Sequence, residues 1–292
     1  MLTIFASPKR FTGQFDLIQR NAITSWTCIE PRCEVLVFGD DDGTAEACAD
    51  LGVRHVPGVA TSDLGTPLVS DMFQRAEALA TGDVLCFVNA DIVAGDDSAA
   101  AADIVAERQN HFLSVARRWD LDVTQPLEAE RTAVASLQAR ARRTGHRASE
   151  IAIDWFVFSR GLFSDLPDFA VGRSGYDNWL IWKAVTSGAA VVDASAFVTL
   201  VHQNHDYSHA GGTLAVWEGP EARRAHDLIG DWRRYFSISH APLMMTADGD
   251  IVRSRGWRYR LARPRRIASH LLRFTRPLRR RLAGIGRSEQ KR

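Results

Sequence analysis

The chain has 292 residues, of which 46% are hydrophobic and 24% charged, and its formal net charge is +1. A chain of this length and apolar content buries a proper core, as one large domain or two small ones, which excludes a disordered chain, a collagen and a disulfide scaffold. The near-zero charge conceals an asymmetry: residues 251–292 carry fifteen Lys/Arg against one acid, Glu289, for +14, which leaves −13 on residues 1–250.

Leu2 to Ala6 is a short apolar run closed by Ser7-Pro8 and predicts a buried strand. Phe15, Ile18, Ala22, Ile23 and Trp26 fall at helical spacing, so Gln14 to Trp26 predicts a helix. Glu34 to Phe38 predicts a second strand, stopped by Gly39-Asp40-Asp41-Asp42-Gly43. A helix over Thr44 to Leu51, a strand over Val53 to Val56, a helix over Pro67 to Ala80 and a strand over Val84 to Val88 follow. Strand and helix in alternation imply an α/β fold with a mostly parallel sheet flanked by helices, in which ligands bind beyond the carboxyl ends of the strands.

After Asp91 the rhythm changes. Helices are predicted over Ser98–Gln109, Pro126–Arg143, Asn178–Thr186 and Glu221–Phe236. Strands are predicted over Phe112–Ala116, Ile151–Phe158, Ala190–Val192 and Phe197–Val201. Cys28, Cys33, Cys48 and Cys86 show no zinc-type pairing and read as reduced thiols of a cytoplasmic protein. The first residues lack the basic region of a signal peptide. The stretch Ala184–Val201, interrupted by Ser187, Gly188 and Asp193, reads as strand-turn-strand rather than a membrane span.

The chemistry begins with acids at strand ends. Asp40, Asp41 and Asp42 follow the second strand and Asp91 follows the fourth, so all face one crevice of a parallel sheet. Carboxylates there suit a divalent cation that leaves positions open for substrate phosphate; the alternative is that they simply form turns. No GxGxxG follows the first strand, and neither GxxxxGK[ST] nor GxSxG is present, which disfavours dinucleotide-binding, P-loop and hydrolase-elbow chemistry.

The passage Ala80-Thr81-Gly82-Asp83, then Val84 to Val88, then Asn89-Ala90-Asp91, resembles the A-x-G-D, apolar strand, D-x-D run of GT-A glycosyltransferases that use nucleoside-diphospho-sugars. Phe5-Ala6-Ser7-Pro8, Val37-Phe38-Gly39-Asp40 and the helix-opening Gly65 to Phe73 match more loosely, and the likeness covers roughly residues 1–210. One position departs: Asn89 stands where the family has the first Asp. The resemblance implies Mn²⁺ or Mg²⁺ on Asp91, with Asn89 at ribose or behind the metal. It implies backbone contacts to the nucleotide from Ala6 and Ser7, Asp40 near base or ribose, and Thr66, Pro67 and Ser70 over the nucleotide. A nucleotide-binding half of about 1–95 and an acceptor half of about 96–240 follow from it.

Asp177, after Gly172-Arg173-Ser174-Gly175-Tyr176, sits at a helix start. It reads either as a helix-terminal carboxylate or, as the resemblance implies, as the general base of an inverting transfer. Arg173 reads as a phosphate or acceptor contact, or as a solvated loop residue. Three histidines crowd His202-Gln203-Asn204-His205-Asp206-Tyr207-Ser208-His209, a density that suggests a metal or phosphate site; a polar loop is the alternative. The resemblance favours His202 as a further metal ligand and leaves His205 as a substrate contact. Arg117 and Asp154 are lesser candidates for substrate binding, each with a structural alternative.

From residue 241 the chain turns basic. Ile267, Leu271, Phe274, Leu278 and Leu282 among arginines describe an amphipathic helix suited to an anionic membrane surface; nucleic acid is the weaker rival and intramolecular packing the plain alternative. The expectation is a metal-dependent, inverting glycosyltransferase with a glycan or lipid-linked acceptor, cytoplasmic or at the inner membrane face. The alternatives are a sugar-1-phosphate nucleotidyltransferase and a non-catalytic nucleotide-sugar-binding module.

Overall fold

The computed structural model describes residues 1–205, 217–256 and 259–261. Asp206, Tyr207, Ser208 and His209 of the histidine-rich stretch and the amphipathic pattern from Ile267 to Leu282 lie outside the described residues. No helix among the described residues is long and apolar enough to cross a membrane.

The first half alternates as expected: β1 (Leu2–Ala6), α1 (Gln14–Thr27), β2 (Glu34–Phe38), α2 (Thr44–Leu51), β3 (Arg54–Val56), α3 (Val69–Leu79) and β4 (Val84–Val88). Then come β5 (Ile92–Val93), α4 (Asp96–Arg108), β6 (Phe112–Leu121), α5 (Arg131–Thr144), β7 (His146–Arg147), β8 (Ile153–Ser159) and α6 (Tyr176–Ser187). The chain continues with β9 (Ala190–Asp193), β10 (Leu200–Gln203), α7 (Pro220–Ile229), β11 (Leu243–Met245) and β12 (Ile251–Arg253).

The main sheet runs β12-β11-β9-β6-β8-β4-β1-β2-β3. Its pairs are parallel except around β8 and at the β12 edge. β8 lies antiparallel between β4 and β6, so its start, not its end, shares the carboxyl edge of its neighbours. Its register against β6 shifts between Val115 and Arg117. Beyond that shift β6 runs on to Leu121, longer than its apolar core predicts, and pairs β10 and β7 instead. Because β1, β2 and β4 are covered on both faces, they read as continuous apolar runs rather than alternating ones.

One face carries α3, α6 and α7 over Phe5, Phe38, Phe87, Phe156 and Phe158. The other carries α1 and α4 over Ile4, Ala6, Cys86 and Val88. Phe73 of α3 lies at the centre of the first layer, stacked on Phe158 at 5.2 Å and edge-on to Phe5 at 5.0 Å and Phe163 at 5.6 Å. Phe73→Ala removes these ring contacts, with a fourth to Phe87 at 5.2 Å, and leaves a void, so denaturant unfolding should show a loss of about 3–5 kcal/mol. A loss under about 1 kcal/mol would mean that the layer collapses around the gap.

Glycine fixes one approach in the A-x-G-D run. A Cβ on Gly82 would lie 2.1 Å from the Met1 carbonyl oxygen, so only glycine lets the turn before β4 cross the start of β1.

Three expectations are corrected. The helix predicted to Phe236 stops at Ile229, because Gly230 takes a left-handed φ of 67° and its N–H closes on the His226 carbonyl. The helix predicted from Pro126 begins only at Arg131, after an extended Glu130. Residues 243–253, read as the start of the basic tail, supply β11 and β12, and β11 pairs in parallel with β9.

Candidate active site

The site is built at the carboxyl edge of β1, β4, β6 and β10 and the amino edge of β8. Asp91 ends the turn after β4, and β5 follows at once. β5 pairs antiparallel with β10, with His202 opposite Ile92, which brings a residue from late in the chain beside Asp91. Gln203 locks the junction: its backbone N–H and its side-chain amide both donate to the Asp91 carbonyl, at 3.2 Å each. It also donates to the Ile18 carbonyl at 2.7 Å and accepts from Asn21 at 3.0 Å.

Around the Asp91 carboxylate, His205 Nε2 stands 2.9 Å and His202 Nε2 3.9 Å from Oδ2. One ligand atom from each of the three residues lies within 4.8 Å of the others. Asp91 Oδ1 is buried and has no hydrogen-bond partner. Burial alone would raise this carboxyl, but the His205 hydrogen bond and the charges of His202 and Lys9 outweigh it, so its pKa is held well below the usual carboxylate range. A buried carboxylate oxygen without a donor, beside two imidazoles, fits a divalent cation bound through oxygen and nitrogen. His202 Nδ1 lies 3.1 Å from Asp120 Oδ1, a carboxylate placed behind the ring as metal-binding histidines commonly have.

A second ring of charges surrounds this cluster. Arg118, near the end of β6, donates to Asp120 Oδ1 at 2.9 Å and to Asp154 Oδ2 at 2.5 Å. Asp154, at the start of β8, also accepts from Asn89 Nδ2 at 2.6 Å. Asn89 therefore braces Asp154 with its amide. Partial burial would lower the pKa of Arg118, yet Asp154 and Asp120 hold it above the usual value.

Lys9, three residues past β1, is the cation that the sequence reading misses. Its backbone exchanges two hydrogen bonds with the Gln19 side chain, at 2.6 and 2.8 Å, and its ammonium sits 4.7 Å from the Phe15 ring centre. Burial lowers its pKa, the charge of Asp91 opposes that, and the like charge of Arg173 adds to it. The available signal was position alone, a lysine just beyond the first strand of a parallel sheet.

On the far side, residues 60–68 run beside 169–171, with Val171 N–H on the Pro67 carbonyl and Val69 N–H on the Phe169 carbonyl. Glu221 of α7 ties the two loops together. Its carboxylate accepts from Ser62, from Thr66 at 2.9 Å and from Arg173 at 2.7 Å. Burial would raise Glu221, but those three donors bring its pKa below the ordinary value. Arg173 is thus fixed by an ion pair rather than loose in solvent.

Asp177 occupies the first turn of α6, two residues after Gly175, whose φ of 102° and close neighbours Ile229 and Tyr235 leave no room for a side chain. Asp177 Oδ1 is buried without a hydrogen-bond partner. Burial pushes its pKa up to about 7; the Asn178 and Gly175 amides pull it back, and the charge of Asp154 pushes it further up.

The other expected residues have the following surroundings. The Ser70 hydroxyl donates to Asp168 Oδ1 at 2.7 Å, and Asp40 accepts from the Gly58 N–H at 2.7 Å. Ala6 is buried at the end of β1, and the adjacent Ser7 Oγ is buried without a partner. Arg117 turns away from Asp91, onto the Ala148 carbonyl and Glu150; its neighbour Arg118 faces the cluster instead, because successive strand residues point to opposite faces.

No known family profile and no curated protein matches the chain. Among solved structures it is similar to mannosyltransferase PcManGT from Pyrobaculum calidifontis in complex with GDP-Man and Mn²⁺, at 16% identity and a TM-score of 0.46, over 72% of this chain and 59% of that one. It is also similar to M. tuberculosis glucosyl-3-phosphoglycerate synthase, at 15% identity and a TM-score of 0.48, over 80% of each chain. The same enzyme with Mn²⁺, UDP-glucose and phosphoglyceric acid gives 14% identity and a TM-score of 0.46, over 79% of each chain. The present chain thus spans 59% of the first of these proteins. Identity at this level carries no residue over from one chain to another.

Proposed function

We propose that the chain is a metal-dependent glycosyltransferase of the GT-A type, moving a sugar from a nucleoside-diphospho-sugar to an acceptor hydroxyl with inversion. The observation that carries this reading is the buried Asp91–His202–His205 cluster at the carboxyl edge of the sheet, with Lys9 beside it. Asp91, His202 and His205 would hold the cation, and the two imidazoles favour Mn²⁺ over Mg²⁺. When bound, the cation would act as a Lewis acid that neutralises charge on the departing diphosphate.

The chain's own groups account for the rest. Lys9 and Arg173 supply fixed positive charge for a diphosphate. Glu221 holds Arg173 in place through its ion pair. Asp177, with its pKa near neutrality, takes the proton from the acceptor hydroxyl. The acceptor oxygen forms a bond to the anomeric carbon on the face opposite the leaving group. The bond from that carbon to the β-phosphate oxygen breaks, and its electron pair leaves with the diphosphate.

A thermal-shift series of nucleoside diphosphates with and without Mn²⁺ tests this. At about 100 times its dissociation constant, the matching nucleotide should stabilise the chain by about 2.7 kcal/mol, and only with the metal. No metal-dependent shift from any nucleotide, or release of pyrophosphate from a nucleoside triphosphate and a sugar 1-phosphate, would overturn it.

A further inference from the structure

Asp177 lines a cavity of about 240 Å³, together with Ile151, Ser174, Trp217, Tyr235 and Ser237. Three properties of this cavity restrict what enters it. The first is charge. No Lys or Arg lines it among the described residues, and its one carboxylate, Asp177, has a buried oxygen without a partner. Once Asp177 is ionised, an anion placed there would face a like charge, with the His240 imidazole in the wall but no Lys or Arg among the described residues to balance it. The second is polarity. The hydroxyl of Ser174 is also buried without a partner, so the wall offers neutral hydrogen-bonding groups to a ligand that brings hydroxyls. The third is the rim. Trp217 is 54% and Ile151 61% exposed, and an exposed indole beside polar groups is a platform for the C–H face of a sugar ring. The volume lies below the range of drug-sized pockets, which fits one ring rather than an extended chain.

We infer that the acceptor is an uncharged hydroxylated ring, a neutral monosaccharide unit, seated against Trp217 with one hydroxyl at Asp177. This deepens the glycosyltransferase reading and rests on it for the chemistry, while the cavity's selectivity can be measured without donor or metal. In saturation-transfer NMR on the full chain without nucleotide, neutral methyl pyranosides should receive magnetisation and 3-phosphoglycerate should not. Trp217→Ala, a change at an exposed site, should weaken glycoside binding by about tenfold or more and leave the metal-dependent nucleotide shift in place. Preference for phosphoglycerate, no signal from any glycoside, or equal glycoside binding by Trp217→Ala would overturn the inference. Glycoside binding without any nucleotide shift would instead sink the transferase reading and leave the cavity's assignment standing.

Discussion

Replacing Asp177 by Asn should cut transfer by about 10²–10⁴-fold while leaving metal-dependent nucleotide binding intact. The amide keeps the shape of the carboxylate and loses its basicity, so a loss confined to turnover separates proton abstraction from positioning. The wild-type rate should rise with pH through about 7, because only the ionised carboxylate accepts a proton. Stability should move the other way. The folded state holds this proton to about pH 7, whereas an unfolded Asp releases it near pH 4, so the folded state binds more protons in between and loses stability as pH rises through that window. The cost at pH 8 is up to about 4 kcal/mol on the linkage scale. Asp177→Asn removes it, so the variant should melt higher than wild type at pH 8, with the gap closing towards pH 4. Near-normal turnover in the variant would place the base elsewhere. A stability gain independent of pH would mean that Asp177 is not the group that titrates.

Replacing Asp91 by Ala should abolish the Mn²⁺-dependent part of nucleotide binding. Asp91 is the sole carboxylate of the three-residue cluster. Without it, His202 and His205 remain next to Lys9, and a cation would enter a site that carries no negative ligand of its own. Even groups that merely orient metal ligands are worth about 10–100-fold in affinity, so loss of a direct ligand should exceed that. Free Mn²⁺ followed by electron paramagnetic resonance, with the nucleotide thermal shift alongside, measures both quantities. Transfer should fall by about 10³-fold or more with it. A metal-dependent shift of wild-type size in Asp91→Ala would dissolve the proposed centre, whatever the activity did.

The sequence by itself determined the α/β rhythm of residues 1–91. β1, β2, α2 and β4 fall on the residues that their apolar runs and the following turns delimit. The three strands are covered on both faces, and continuous apolarity marks them without reference to partners. Asp91, Asp177 and the histidine-rich stretch also stood out, because acids after buried strands and clustered imidazoles are local features. What only the tertiary structure decided is which of them meet. β5 is two residues long and leaves no periodicity to read, yet its pairing with β10 sets His202 and His205 against Asp91 across more than a hundred residues of chain. That Arg118 rather than Arg117 meets the cluster depends on which face of β6 each takes, and one residue of register exchanges the faces of a strand. Lys9 and Glu221 look like ordinary surface charges in sequence. Only burial against opposite charges from distant loops turns them into parts of a site, and burial is a property of the packed chain.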